Sequence, residues 1–337
     1  MSAGTPSAGT PARVGLGGAP LGNLYRPLTE EESDATVRTA WELGVRDFDT
    51  APHYGMGLSE RRMGRVLAPL LAQHGGEGVS VSTKVGRLLR DNPDYREGDR
   101  DPEWFAVPAT TRRVWDPTAD GVRRSVEESL ERLGLDRVDT LYLHDPDQYD
   151  LEQGIREGLP ALVALREEGL VDRVGVGCND QDVIARCVRA ADLDVVMCAG
   201  RYSLLEQPAA ADLLPLCLER GVRVVAAGVY NSGALARPVM PAPEELTYDY
   251  LAAPPDVVEK VRRLYEVCGA HGVTVPQAAV QFVARHPAVE VVMLGARHPD
   301  EIRAGVANAT AEIPDALWRD LVDQGLLAQP PLPVGQP

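Results

Sequence analysis

Eight short runs of mostly apolar residues recur along the chain: RVGLG (13–17), VRDFD (45–49), VSVSTKV (79–85), VDTLYLH (138–144), RVGVG (173–177), DVVMCA (194–199), VRVVAAG (222–228) and VEVVMLG (289–295). Strands exposed on one face alternate polar and apolar residues. These runs are closer to continuous, so each is expected to be covered on both faces, as in a parallel sheet clothed by helices. The stretches between them carry helical periodicity. In DGVRRSVEESLERLGL, Val122, Val126, Leu130 and Leu133 share one face and Gly134 supplies a stop. LEQGIREGLPALVALREEGLV ends at Gly169, and PAAADLLPLCLERGV at Gly221. Helix, glycine, strand is the connection of a parallel α/β sheet. A strand in first position and eight in all favour a closed (β/α)8 TIM barrel over an open, doubly wound sheet.

A barrel of that kind fits within 337 residues as one domain, expected over 13–325 between disordered tails at 1–12 and 326–337. MSAGTPSAGTPA lacks the apolar core of a signal peptide, and no apolar run is long enough to span a membrane. The five cysteines (178, 187, 198, 217, 268) are scattered and form no C-x-x-C pair, which suits reduced thiols in a cytoplasmic protein. A net charge of −16 argues against nucleic-acid binding. One interruption stands out: residues 86–118 form a long polar connection with Trp104, Phe105 and Trp115, expected as an active-site loop or lid.

The strand ends carry the chemistry. The second run ends in Asp49, with Tyr54 just beyond; the third presents Lys84 and the fourth His144. In a parallel barrel these ends share one rim, where barrel active sites sit. A tyrosine phenol, with a reference pKa near 10, needs help to shuttle protons at neutral pH. A nearby lysine favours the phenolate, and an aspartate paired to the lysine fixes it. A histidine can then hydrogen-bond the substrate oxygen. The set suits carbonyl–alcohol interconversion, which needs a nicotinamide or flavin as hydride carrier. GLGGAP and GVGCND both fail the G-x-G-x-x-G fingerprint, so a Rossmann domain is not expected. HDPD (144–147) has no second histidine at ligand spacing, and no metal site is expected.

At these residues the sequence resembles the aldo-keto reductase superfamily, through GVRDFDTAPHYG, STKVGR, LYLHDPD and VGVGCND in that order. GRYSLLEQPA, GVYNSGALA and LWRDLVDQGLL look most like its L-fucose and D-threo-aldose 1-dehydrogenases, with L-galactose and pyridoxal 4-dehydrogenases nearby. The resemblance implies a barrel that binds NAD or NADP, with Asp49, Tyr54, Lys84 and His144 as catalytic tetrad. It implies Asn179 at the nicotinamide carboxamide and Tyr202 stacked on the ring, although Cys178 and Ala199 replace the usual Ser and Gln. Tyr230, Asn231, Ser232 and Gly233 would wrap the pyrophosphate, and Gly295, Ala296, Arg297 and Glu301 the adenosine end. A carboxylate at Glu301 repels a 2′-phosphate and favours NAD. Leu21, Tyr25, His53 and Trp115 are the expected substrate-pocket residues. The implied reaction is oxidation of an aldose at C1 to the lactone. Reduction of aldehydes, pyridoxal or a ketone is the alternative within the enzymes, and a non-catalytic nucleotide-binding sensor the alternative outside them. The expected partner is a small sugar or carbonyl compound; oligomeric state is open.

Overall fold

The computed structural model describes residues 13–249 and 251–331. The eight runs form eight parallel strands: β1 (Arg13–Gly17), β2 (Asp47–Asp49), β3 (Ser80–Val85), β4 (Thr140–His144), β5 (Arg173–Cys178), β6 (Val195–Ala199), β7 (Arg223–Ala227) and β8 (Val289–Gly295). They pair in chain order, and β8 closes on β1 with Arg13 opposite Val291 and Gly17 opposite Gly295. The fold is a (β/α)8 barrel.

Successive side chains on a strand point to opposite faces. Phe48, Val81, Leu141, Leu143, Val174 and Val176 join the large core shared with the helices. Tyr142, Val195, Met197, Val225, Val291 and Met293 form a separate cluster that fills the barrel. Beneath it, near the strand starts, Arg13 pairs with Asp47 at 2.9 Å and Arg173 with Glu290 at 2.7 Å. Only about 10 Å3 of void remains in this layer, so the interior is a packed core and the open chemistry lies at the rim above.

The helices start and stop where their sequences allow. Thr29 closes a capping box with Glu32 at the start of α1 (Glu30–Glu42). α2 (Leu58–His74) follows β2. α3 (Ala119–Leu133) is capped by Thr118 and stopped by Gly134 at φ 63, with Val122 and Leu133 buried as their spacing predicts. The segment after β4 is less regular than its periodicity suggests. Leu151–Gln153 passes through a π-helical turn at Gly154–Gly158 before Leu159–Glu167 continues. Added Cβ atoms at Gly154 and Gly158 would press on Leu143, which accounts for the two glycines in that turn.

Two sequence expectations are corrected. Residues 86–118 are not a structureless connection: Arg87–Asp91 and Thr111–Trp115 pair as an antiparallel hairpin. Its tip folds back on the rim, where Ala106 N–H donates to Asn23 O at 2.9 Å and Tyr25 N–H to Trp104 O at 2.8 Å. The domain also does not end at 325. Leu326 and Leu327 are buried, because the chain after the helix Asp315–Asp323 turns back into the apolar core. The expected tails at 1–12 and 332–337 lie outside the described residues. No helix among the described residues is long and apolar enough to cross a membrane.

Candidate active site

Strand parity places three of the four proposed catalytic groups. Asp49 lies two residues beyond Asp47, Lys84 two beyond Ser82, and His144 two beyond Tyr142, so each inherits an inward direction at the upper rim. Tyr54 comes from the turn after β2. That turn lies so close to the loop after β1 that a Cβ on Gly55 would stand 2.2 Å from Gly22 O, and one on Gly22 2.6 Å from the Tyr54 carbonyl carbon. Only glycine at both positions lets the loops touch, and the contact holds Tyr54 over the rim.

Lys84 Nζ lies 2.5 Å from Asp49 Oδ2 and 2.9 Å from Thr50 O, and Ser82 Oγ donates to Asp49 Oδ1 at 2.7 Å. Lys84 and Asp49 are each 2% exposed, so this is a buried ion pair with its polar atoms satisfied. The same Nζ lies 4.8 Å from the Tyr54 ring centre. The His144 ring stands edge-on to Tyr54, with centroids 5.8 Å apart. Burial, reinforced by the cations Arg87 and Lys84, pushes His144 well below its ordinary pKa. It is therefore a neutral hydrogen-bonding ring at pH 7, not a cation. The structure thus brings all four residues together.

Around them is a second set, of which the sequence singled out His53 and Phe105 but not Arg87, Asp145, Arg113 or Asp101. Arg87, three residues after Lys84, bridges His53 Nδ1 at 2.9 Å and Asp145 Oδ2 at 2.6 Å. Asp145 is held in the left-handed region at φ 40, and its Oδ2 reaches within 3.4 Å of His144 Nε2. Arg113 grips buried Asp101 with both arms, at 2.7 and 2.8 Å, and donates to His53 O at 3.0 Å. Phe105 packs on His53 and Tyr54, with centroids at 5.2 and 6.0 Å. The only advance sign of Arg87 was an uncommon polar residue next to an apolar strand.

Of the expected pocket residues, His53 lies in this wall. Trp115 lies further out, stacked on Tyr149 at 5.1 Å and donating to Gln153 Oε1. Tyr25 is exposed at the rim, with Arg297 5.7 Å from its ring. Leu21 is corrected: it is fully buried in the outer core. All three residues of the short helix Pro20–Gly22 are buried, and Leu21 is its apolar anchor in the core.

The expected cofactor residues are spread over the rim of β5 to β8. Asn179 follows β5, and its carbonyl accepts from Arg201 Nε at 2.7 Å. Tyr202 is 6% exposed and packs on Phe282 and His286, so its ring serves the core and presents no open face for stacking. Asn231, Ser232 and Gly233 follow one another at φ 45, 55 and 97, and Tyr230 Oη accepts from Asn308. Asn231 Oδ1 is buried without a partner among the described residues, and open space adjoins Gly200 and Gly233. A buried orphan acceptor beside open glycines fits a ligand that offers an N–H or O–H donor there. Gly295 abuts Pro20, and Ala296 is buried. Arg297 donates to Leu24 O, while its own N–H donates to Glu301 Oε2 at 2.8 Å.

The buried histidines have a consequence for stability. Burial lowers His286 to about 4, and it lowers His53 and His144 as well. As pH falls below the ordinary value of 6.5, the unfolded chain takes up protons that folded His286 refuses. Its contribution is therefore full above 6.5 and declines by up to about 1.4 kcal/mol per pH unit below it. His286→Asn, which keeps an acceptor for Ala288 N–H, is expected to flatten the fall of stability between pH 6.5 and 5 in urea titrations. Parallel slopes for the two proteins would contradict this.

Comparison with known proteins agrees with the geometry. The Aldo/keto reductase family model matches residues 13–323. A D-threo-aldose 1-dehydrogenase from a Pseudomonas species is 44% identical over 318 residues, covering 94% of this chain and 95% of that one. A pyridoxal 4-dehydrogenase from Microbacterium luteolum is 36% identical over 335 residues, with 95% of each chain covered. The holo structure of an aldo-keto reductase from Bacillus halodurans superimposes with a TM-score of 0.71 at 26% identity, covering 93% of this chain and 91% of that one. With a barrel closed in chain order and an Asp–Lys pair set beside a tyrosine and a neutral histidine, the chain belongs to the aldo/keto reductase family and is an oxidoreductase.

Proposed function

We propose that the protein oxidises C1 of a cyclic aldose of the L-fucose or D-threo type to its lactone, with Tyr54 as general base. The observation that carries this reading is the placement of Lys84, locked to Asp49 yet within 4.8 Å of the Tyr54 ring. Lys84 uses two of its three N–H donors on Asp49 and Thr50. Its charge then stabilises negative charge on the phenol oxygen; at an effective dielectric near 20, unit charges about 5 Å apart interact by roughly 3 kcal/mol. The phenolate takes the anomeric hydroxyl proton. Neutral His144 holds that oxygen as the C1 carbonyl forms. A bound NAD(P)+ would supply the acceptor for the hydride of C1. In reduction the same phenol acts as acid.

NAD is the favoured cofactor. Glu301 is held at the start of the helix Pro299–Ala309 by the Arg297 N–H, where a 2′-phosphate would meet its charge. The protein would act on soluble sugars in the cytoplasm.

The test is absorbance of reduced nicotinamide after mixing the protein with NAD+ or NADP+ and L-fucose, D-arabinose or L-galactose. Turnover with NAD+ at least tenfold better than with NADP+ is expected. A second reading, reduction of an aldehyde such as pyridoxal, draws on the aromatic rim of Phe105, Trp115 and Tyr149. Silence with every sugar alongside rapid NAD(P)H oxidation by pyridoxal would move the protein to that reading. Cofactor binding with no turnover in either direction would make it a sensor.

A further inference from the structure

His53 has one chemical state compatible with its surroundings. The guanidinium of Arg87 has no acceptor atom, so at 2.9 Å it must donate to His53 Nδ1. Nδ1 is then a lone-pair acceptor, the ring is neutral, and its proton sits on Nε2. Glu103 Oε2, at 3.7 Å from the same Nδ1, is too far for a competing hydrogen bond. The ring is fixed from both directions: Arg87 holds Nδ1, and Arg113, itself pinned by Asp101, holds the backbone carbonyl.

The ring stands among the reacting groups. Its centroid lies 5.3 Å from that of His144 and 5.9 Å from that of Tyr54, and its side chain keeps 13% of its surface exposed. Tyr54 and His144 attend to the oxygen on the reacting carbon. A second N–H donor about one ring-width away suits an oxygen on the neighbouring carbon. Arg87, with 4% of its side chain exposed, cannot itself reach a ligand. Its other arm holds Asp145 beside His144, so one guanidinium sets the orientation of both imidazole neighbours.

We infer that His53 is a specificity-determining donor, presenting Nε2–H to a hydroxyl or ring oxygen adjacent to the reacting carbon, and that Arg87 is the positioning residue that fixes its tautomer. The substrate class is therefore 2-oxygenated aldehydes and their cyclic hemiacetals, above plain aldehydes of the same size. The inference builds on the proposed carbonyl–alcohol chemistry but not on its direction.

The test is steady-state reduction of glycolaldehyde against acetaldehyde with NADH and NADPH, in the wild type, His53→Phe, His53→Gln and Arg87→Lys. The wild type is expected to favour glycolaldehyde in kcat/KM. His53→Phe should lower that preference about tenfold, mainly through KM, as loss of one hydrogen bond would. His53→Gln, whose amide nitrogen can stand near Nε2, should restore most of it. Arg87→Lys, with one compact head for two partners, should lower it as well, and by no further amount when combined with His53→Phe. Equal losses for both aldehydes in His53→Phe would reduce the residue to a structural role and overturn the inference, as would a wild type indifferent to the 2-hydroxyl. A wild type that prefers glycolaldehyde yet oxidises no aldose would sink the dehydrogenase reading alone.

Discussion

Tyr54→Phe is expected to lower kcat by about three orders of magnitude while leaving the protein folded. Removing one oxygen deletes the proposed proton-transfer group, and general acid–base catalysis contributes roughly 10²–10⁴-fold. The ring itself remains against Phe105 and His144, so the aromatic wall and the Gly22–Gly55 contact beneath it survive. Cofactor affinity, followed by fluorescence titration, should change little. The decisive readout is single-turnover rate at saturating substrate, which separates chemistry from product release. A variant that keeps more than a tenth of wild-type rate would remove Tyr54 from proton transfer and leave His144 as the remaining candidate.

Lys84→Met carries the second large effect, on stability and activity together. The lysine and Asp49 are buried to the same degree, and truncating one strands the other. Breaking such a pair costs about 3–5 kcal/mol, because a desolvated charge loses its partner. For a chain of this size that corresponds to a melting temperature lower by about 5 °C. Adding Asp49→Leu removes the stranded carboxylate, and the double variant is expected to regain most of the lost stability, since apolar residues of similar volume often replace a buried pair without penalty. It should regain none of the activity. Melting curves and turnover for the wild type, both single variants and the double variant form the cycle. If stability losses simply add, the pair is not coupled, and the claim that Asp49 exists to hold Lys84 fails.

The contrast expected between these variants follows from where the residues sit. Tyr54 is on a turn above the rim, so loss of its oxygen is expected to leave the barrel intact. The same is not expected of Lys84 and Asp49, because they sit on strands whose next inward residues, Ser82 and Asp47, already belong to the barrel interior.

Much of this was legible before any fold was known. Continuous apolar runs mark strands buried on both faces, and a period of two carries inward direction from Asp47 to Asp49 and from Tyr142 to His144. The barrel and the inward direction of Asp49, Lys84 and His144 follow from local pattern, because each of these residues takes its place from its own strand; Tyr54, on the turn after β2, also needs the Gly22–Gly55 contact across two loops. Other assignments depended on what lies across space. Leu21 read as a pocket residue because it follows β1, yet it points into the outer core. Tyr202 read as a cofactor platform, yet Phe282 and His286, some eighty residues away in sequence, enclose it. The polar composition of 86–118 gave little sign of a hairpin, since Leu88 opposite Val114 is the one wholly aliphatic cross-strand pair in it and the others, such as Arg90 opposite Arg112, include a polar or charged residue.

By itself, then, the sequence determined the barrel and the inward register of Asp49, Lys84 and His144, consequences of short-range periodicity, and named Tyr54 as the fourth member of the proposed quartet. The tertiary structure decided the environment of that quartet: the Arg87 bridge between His53 and Asp145, the Arg113–Asp101 clamp and the Phe105 wall. Those contacts join residues up to 60 positions apart, His53 to Arg113 among them, and no local pattern encodes a pairing that exists only once loops from different strands meet at one rim.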